Sequence, residues 1–222
     1  MSKTLASYLH FFWAGVVKQG QTGAIVPSQR FLIAKMIAPV PEDYDGQIIE
    51  LGAGNGAITL RLAARCPRAR VLACEINPTL ARDNRAHLAQ AGLHGRVVVV
   101  PDSAEHLLSE MRRRGNEPPE YIISGIPLGN LGRVRTLAVL DAVSRSLAPG
   151  GIYIQYQHSL LDRKKIKARF PDLRIVPVPL NFPPAVVYYA RKYAQYSVFS
   201  IQYSVFSVQT RARGGSLLNT EH

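Results

Sequence analysis

Hydrophobic residues near the N-terminus recur at helical spacing. Leu5, Leu9, Phe12 and Val16 form one stripe, which Tyr8 and Trp13 widen, while Lys3, Ser7 and His10 fall mostly elsewhere. An amphipathic helix is therefore expected over residues 3–18. Gly20, Gly23 and Pro27 break that pattern, and a second helix is expected from Ser28, a good N-cap, to Ile37, ended by Pro39 and Pro41. From Gln47 the texture changes. QIIEL, RVLACEI, RVVVVP, YIISGIP and GGIYIQYQ read as short strands, and helical patterns at 57–64, 80–91, 104–113 and 134–147 separate them. Strands separated by helices pair in parallel with both faces covered, which predicts an α/β three-layer sandwich. LRIVPVPLN and PAVVYYAR have no helix between them and meet through Phe182 and Pro183, so they read as an antiparallel hairpin that completes a seven-stranded sheet. The expected layout is an N-terminal helix and lid segment over 1–46, a core over 47–193 and a tail over 194–222.

The tail contains QYSVFSIQYSVFSVQ, a seven-residue unit almost perfectly doubled. Its odd period would switch strand faces between copies, so a low-complexity addition outside the core is expected.

Charge adds a constraint. The 222 residues carry 27 Lys plus Arg against 15 Asp plus Glu, a formal charge of +12. With 47% hydrophobic and 19% charged residues the chain can bury a full core, which excludes a disordered basic tail or a histone-like arm. A folded basic domain points to an anionic partner, either nucleic acid or an acidic membrane surface. The segment after residue 193 holds only Arg211, Arg213 and Glu221 as charged side chains, so the basicity belongs to the domain. Cys66 and Cys74 have no companions at metal-ligand or disulfide-framework spacing, which fits a reducing cytosol and implies no metal. The longest nearly apolar stretch, residues 9–17, falls well short of the ~20 residues that cross a bilayer. No small-residue cleavage site follows it, so secretion is not expected.

Chemistry enters with QIIELGAGNGAITL. A buried strand runs into a turn with Gly52, Gly54 and Gly56 and then into a helix, as in a nucleotide-cofactor loop. Gly52, Gly54 and Ala57 also satisfy the dinucleotide fingerprint, so the loop alone is ambiguous. Three carboxylates separate the alternatives. Glu50, two residues before Gly52, would repel a pyrophosphate but can accept hydrogen bonds from the ammonium of an amino acid. Glu75 closes the next strand, where it can accept both ribose hydroxyls. Asp102, followed by Ser103, closes the third strand and suits a contact near adenine. Together they describe a methionine-plus-adenosine ligand, S-adenosylmethionine. The order of elements, terminal hairpin included, resembles the class I S-adenosylmethionine-dependent methyltransferases with their Rossmann-like sheet.

Adenine-directed members of that class resemble one another in an Asn or Asp, Pro and aromatic motif after the fourth strand. Here the segment is Ser124-Gly125-Ile126-Pro127-Leu128, with no aromatic to stack on a base. Instead TGAIVPS at 22–28, the ELGAGNGAIT loop and SGIPL resemble the bacterial phospholipid N-methyltransferases, which methylate phosphatidylethanolamine toward phosphatidylcholine. The likeness spans residues 8–192 and includes the aromatic N-terminal helix and the PPAVVYYAR hairpin. It implies a cofactor set that includes Thr22, Gly23, Ser103 and Ser124. It also implies an aminolipid substrate, an anionic membrane surface as partner, no nucleic acid, and a place on the inner face of the cytoplasmic membrane. Related enzymes methylate ornithine lipids. The alternatives from other classes are an RNA adenine dimethyltransferase and a non-catalytic membrane-binding protein.

An amine with a pKa near lysine's ~10.4 must lose a proton before it attacks, at a cost of about 4.6 kcal/mol at pH 7. His158, just beyond the fifth strand, is the expected base and Tyr156 the hydroxyl that orients the nitrogen. Tyr8, Phe12, Tyr153 and Tyr156 are expected aromatic faces for the methylated cation. Tyr8, Phe12 and Trp13 also lie on the helix expected to enter the membrane interface. Removal of residues 1–18 is expected to abolish binding to anionic vesicles while leaving cofactor affinity largely intact; flotation and calorimetry check the two halves.

Overall fold

The structure is a computed structural model and describes residues 29–193. The expected N-terminal helix with Tyr8, Phe12 and Trp13, the lid residues Thr22 and Gly23, and the doubled tail lie outside the described residues. Within them the order is α1 (Gln29–Ile37), β1 (Gln47–Leu51), α2 (Ala57–Arg65), β2 (Arg70–Cys74), α3 (Pro78–Gln90), β3 (Val97–Val100) and α4 (Ala104–Arg113). Then follow β4 (Tyr121–Ser124), a short 3-10 turn (Leu128–Asn130), α5 (Gly132–Ser146), β5 (Ile152–Gln157), α6 (Arg163–Lys167), β6 (Asp172–Val178) and β7 (Ala185–Arg191).

Seven strands form one sheet in the order β3-β2-β1-β4-β5-β7-β6. β1 pairs in parallel with β2 and β4, β3 with β2, and β5 with β4, whereas β7 runs antiparallel to both β5 and β6. The expected sandwich, the strand count and the terminal hairpin are all present. Period-two alternation divides the core between the two faces of the sheet. Ile48, Val71 and Ile154 pack with Leu32, Met36, Leu62 and Leu88 of α1, α2 and α3. Ile49, Ile122 and Tyr153 pack with Leu108, Leu140, Val143 and Phe170 on the opposite side.

Local chemistry sets the element ends. α3 starts two residues before the expected 80–91 because Asn77 caps it, its Oδ1 accepting from the N–H of Thr79 at 3.0 Å and of Leu80 at 3.3 Å, with Pro78 in the first turn. Residues 163–167 form α6. Its Ile166 is fully buried, and the flanking cations Lys165 and Arg169 pair with Asp162 at 2.5 Å and Asp141 at 2.6 Å.

α1 buries Leu32, Ile33, Met36 and Ile37, and the Tyr189 hydroxyl of β7 donates to the Lys35 carbonyl at 2.6 Å. The segment preceding the sheet is thereby fastened to it. Met36→Ala, at a fully buried position, is expected to destabilise the fold by about 2–5 kcal/mol, read from the midpoint of urea denaturation.

Candidate cofactor and acceptor site

The C-terminal ends of β1, β2, β3, β4 and β5 lie on one edge of the sheet, the edge at which open α/β sheets bind ligands. Between β1 and α2 the chain turns through Gly52, Gly54 and Gly56 with φ of 73°, 54° and 83°, a region that side chains with a Cβ rarely adopt. The turn is pinned from two sides. The N–H groups of Gly52 and Ala53 both donate to the Cys74 carbonyl at 2.9 Å, and the Gly125 N–H donates to the Leu51 carbonyl at 2.8 Å. A Cβ on Gly125 would stand 2.6 Å from the Gly52 carbonyl oxygen, so the glycine of the SGIPL segment is required by the packing of β4 against the loop. At Gly56 a Cβ would stand 2.4 Å from Asn84 Oδ1, whereas at Gly54 it would meet nothing within 4 Å. The loop is thus tight behind and open at its tip, the shape that lets a ligand approach backbone.

Two carboxylates flank it. Glu75 is buried, and its Oε2 accepts from the Gly54 N–H at 2.8 Å while Oε1 accepts from the Asn77 N–H at 2.9 Å. It therefore holds the loop in place, with remaining lone pairs for hydroxyl donors. Glu50 is fully buried, and neither of its oxygens has a hydrogen-bond partner among the described residues. Burial pushes its pKa up to about 8; the neighbouring Glu75 adds to the rise, and Thr59 draws it partly back without closing a hydrogen bond. Asn84 on α3 is also buried, with both amide atoms unpartnered. Orphaned acceptors beside an open glycine tip fit a ligand that carries an ammonium group. Asn84 and Thr59 were not singled out from the sequence, because one Asn or Thr in a helix carries no signal until the fold sets it behind the glycines.

At the third strand, Asp102 Oδ1 accepts from the Ser103 N–H and Oδ2 contacts His106 Nδ1, both at 2.7 Å. That contact raises the His106 pKa. The Ser103 hydroxyl caps α4, accepting from the His106 N–H at 3.2 Å. Ser124 is fully buried, and its hydroxyl accepts from the Ile126 N–H at 3.2 Å, shaping the turn after β4.

The expected acceptor residues separate across β5. Tyr156 packs against the α1–α2 side and sets its ring edge-on to His158, centroids 5.7 Å apart. Burial raises its pKa, so the phenol keeps its proton at neutral pH. His158 Nδ1 lies 2.9 Å from the Pro184 carbonyl oxygen, which can only accept, so the ring donates from Nδ1. Tyr153 corrects the expectation. It points to the opposite face, fully buried against Phe170, and its hydroxyl donates to Gln155 Oε1 at 2.5 Å. Tyr156 stands three positions further along, an odd offset, so a strand cannot present both to one substrate. Its effect is indirect, because Gln155 Nε2 in turn donates to the Ile126 carbonyl at 2.9 Å and holds the segment after β4.

Residues 48–151 match the methyltransferase domain family. The chain is 29% identical over 170 residues to the ornithine lipid N-methyltransferase of Singulisphaera acidiphila, covering 76% of this chain and 87% of that protein. It is 36% identical over 91 residues to the tRNA1(Val) (adenine(37)-N6)-methyltransferase of Porphyromonas gingivalis, 39% of this chain and 35% of that one. Among solved structures, the O-methyltransferase from Bacillus cereus in complex with SAH superposes with a TM-score of 0.60 at 16% identity, covering 80% and 90% of the two chains. That last likeness is one of fold.

Glu50 makes a two-sided prediction. Its folded pKa of about 8 stands above the ordinary carboxylate value of 4.5, so the stability it contributes is complete below about 4.5 and is lost as pH rises through about 8. Without ligand, Glu50→Gln is expected to melt with the wild type at pH 4 and above it at pH 9. Its affinity for S-adenosylmethionine is expected to fall about tenfold or more, since a charge-assisted hydrogen bond is lost. Calorimetry in two buffers is expected to show proton release on binding at pH 7 for the wild type and none for the variant.

Proposed function

We propose that this chain, an S-adenosylmethionine-dependent methyltransferase, methylates the head-group amine of a membrane aminolipid, with ornithine lipid the first candidate and phosphatidylethanolamine the second. The observation that carries the proposal is the reach of the likeness. Similarity to the ornithine lipid enzyme extends through 87% of that protein, whereas similarity to the tRNA enzyme stops at 35%. The missing aromatic after β4 agrees, since base stacking contributes about 1–3 kcal/mol to adenine binding. The ornithine-lipid likeness moves that head group ahead of the phosphatidylethanolamine expected from sequence. Association with the inner face of the cytoplasmic membrane belongs to the same proposal. Among the described residues no helix is long and apolar enough to cross a membrane, so the enzyme is proposed to act from the surface.

When bound, S-adenosylmethionine supplies a methyl group on a positively charged sulfur, which departs with the C–S electron pair. The protein prepares the nucleophile. His158 takes the proton from the head-group ammonium, and the protonated Tyr156 hydroxyl accepts an N–H bond that orients the lone pair. Glu50 and the open tip at Gly54 receive the amino-acid end of the cofactor, and Glu75 holds the loop that does so.

Transfer of tritiated methyl from S-adenosylmethionine tests the proposal. Label in chloroform-extractable lipid is expected, with thin-layer chromatography identifying the head group; label in RNA alone, or none from folded protein, would reject it. His158→Gln is expected to lower kcat by about 10²–10⁴ and leave cofactor affinity unchanged.

A further inference from the structure

Four exposed large apolar side chains share one rim of the molecule. Leu160 and Leu161, 52% and 82% exposed, lie on the loop after β5, and Leu180 and Phe182, 66% and 83% exposed, lie on the turn between β6 and β7. Because β7 runs antiparallel to both β5 and β6, those two strands are parallel. The loop after one and the turn after the other therefore emerge together, at the edge that holds the glycine loop. Three hydrogen bonds hold the two segments. His158 Nδ1 donates to the Pro184 carbonyl at 2.9 Å, the Tyr188 hydroxyl to the Ser159 carbonyl at 3.2 Å, and Asn181 Nδ2 to the Pro183 carbonyl at 2.6 Å. The apolar tips are thus presented on a fixed backbone.

The surrounding charge indicates what they meet. Residues 158–164 and 179–184 include a single acid, Asp162, which is buried and paired with Lys165, while Arg163 and Lys164 beside it are exposed. Apolar tips edged by cations, with no exposed carboxylate among these residues, complement the interfacial layer of an anionic bilayer.

We propose that the loop after β5 and the β6–β7 turn form a docking rim that inserts Leu160, Leu161, Leu180 and Phe182 into an anionic lipid surface, carrying His158 to the head-group level. The rim rests on the aminolipid reading of the site, and it assigns membrane contact to the catalytic domain itself, separately from residues 1–18. Insertion brings the base to a substrate that never leaves the bilayer.

Full-length Leu161→Cys protein carrying a bimane label, with Val98→Cys on the outer strand β3 as control, tests it on vesicles of equal phosphatidylglycerol and brominated phosphatidylcholine. The native Cys66 and Cys74 are buried, so the label reports the introduced thiol. Quenching by bromine is expected at 161 and not at 98. The double variant Leu161→Ser with Phe182→Ser is expected to bind these vesicles at least about fivefold more weakly while retaining its affinity for S-adenosylmethionine. An unquenched probe at 161 in vesicle-bound protein would overturn the rim, as would shielding of the probe by self-association without lipid. The two proposals separate cleanly: lipid methylation with an unquenched 161 rejects the rim alone, and quenching at 161 in a protein that labels only RNA rejects the aminolipid function alone.

Discussion

The backbone at Gly52 is held between the ends of β2 and β4 so closely that neither Gly52 nor Gly125 has room for a side chain. A Cβ on the first would come within 2.9 Å of Ile126, and one on the second within 2.6 Å of the Gly52 carbonyl. This approach fixes the direction of the turn toward α2. It places Gly54 where its N–H meets Glu75, and it leaves the loop tip open. The geometry of the ligand edge follows from that contact, because strand ends that stood farther apart would leave the loop free to fold over its own cradle.

Stability and binding pull against each other at Glu50. A buried carboxylate with no hydrogen-bond partner disfavours its own ionisation, and the Asn84 amide beside the loop is likewise unsatisfied. Without its ligand the protein carries polar groups that a purely structural core would replace with apolar ones. In the proposed binding of a cofactor's amino-acid end there, its ammonium would compensate them, and that free energy would return as affinity. Glu75 plays the opposite part, since backbone donors engage both of its oxygens before any ligand arrives.

The two sides of β5 show how strand parity divides labour. Tyr156 and His158, two residues apart, share a face and touch edge-on, whereas Tyr153 and Gln155 point the other way and hold the segment after β4 through the Ile126 carbonyl. The acceptor side is thus built by one set of side chains and steadied by the next residue along. At the same strand end Leu160 of the proposed rim lies two residues from the proposed base, so the proposed docking and deprotonation would share one loop.

Periodicity and glycine spacing by themselves determined the layers, the seven strands, the terminal hairpin and the cofactor loop. These features depend on local rules, namely alternation along a strand, apolar stripes along a helix and φ values that only glycine accepts readily. The positions of Glu50, Glu75 and Asp102 were legible for the same reason, because each lies at the end of a strand that the pattern had already located. What only the tertiary structure decided depends on distances between segments remote in sequence. The burial of Asn84 behind Gly56, the requirement for glycine at 125, the withdrawal of Tyr153 into the core and the meeting of Leu161 with Phe182 at one rim all arise from how strands neighbour one another. A one-dimensional pattern gives the face on which a residue lies, but the packing of the sheet sets which other residues share that face and whether water reaches it.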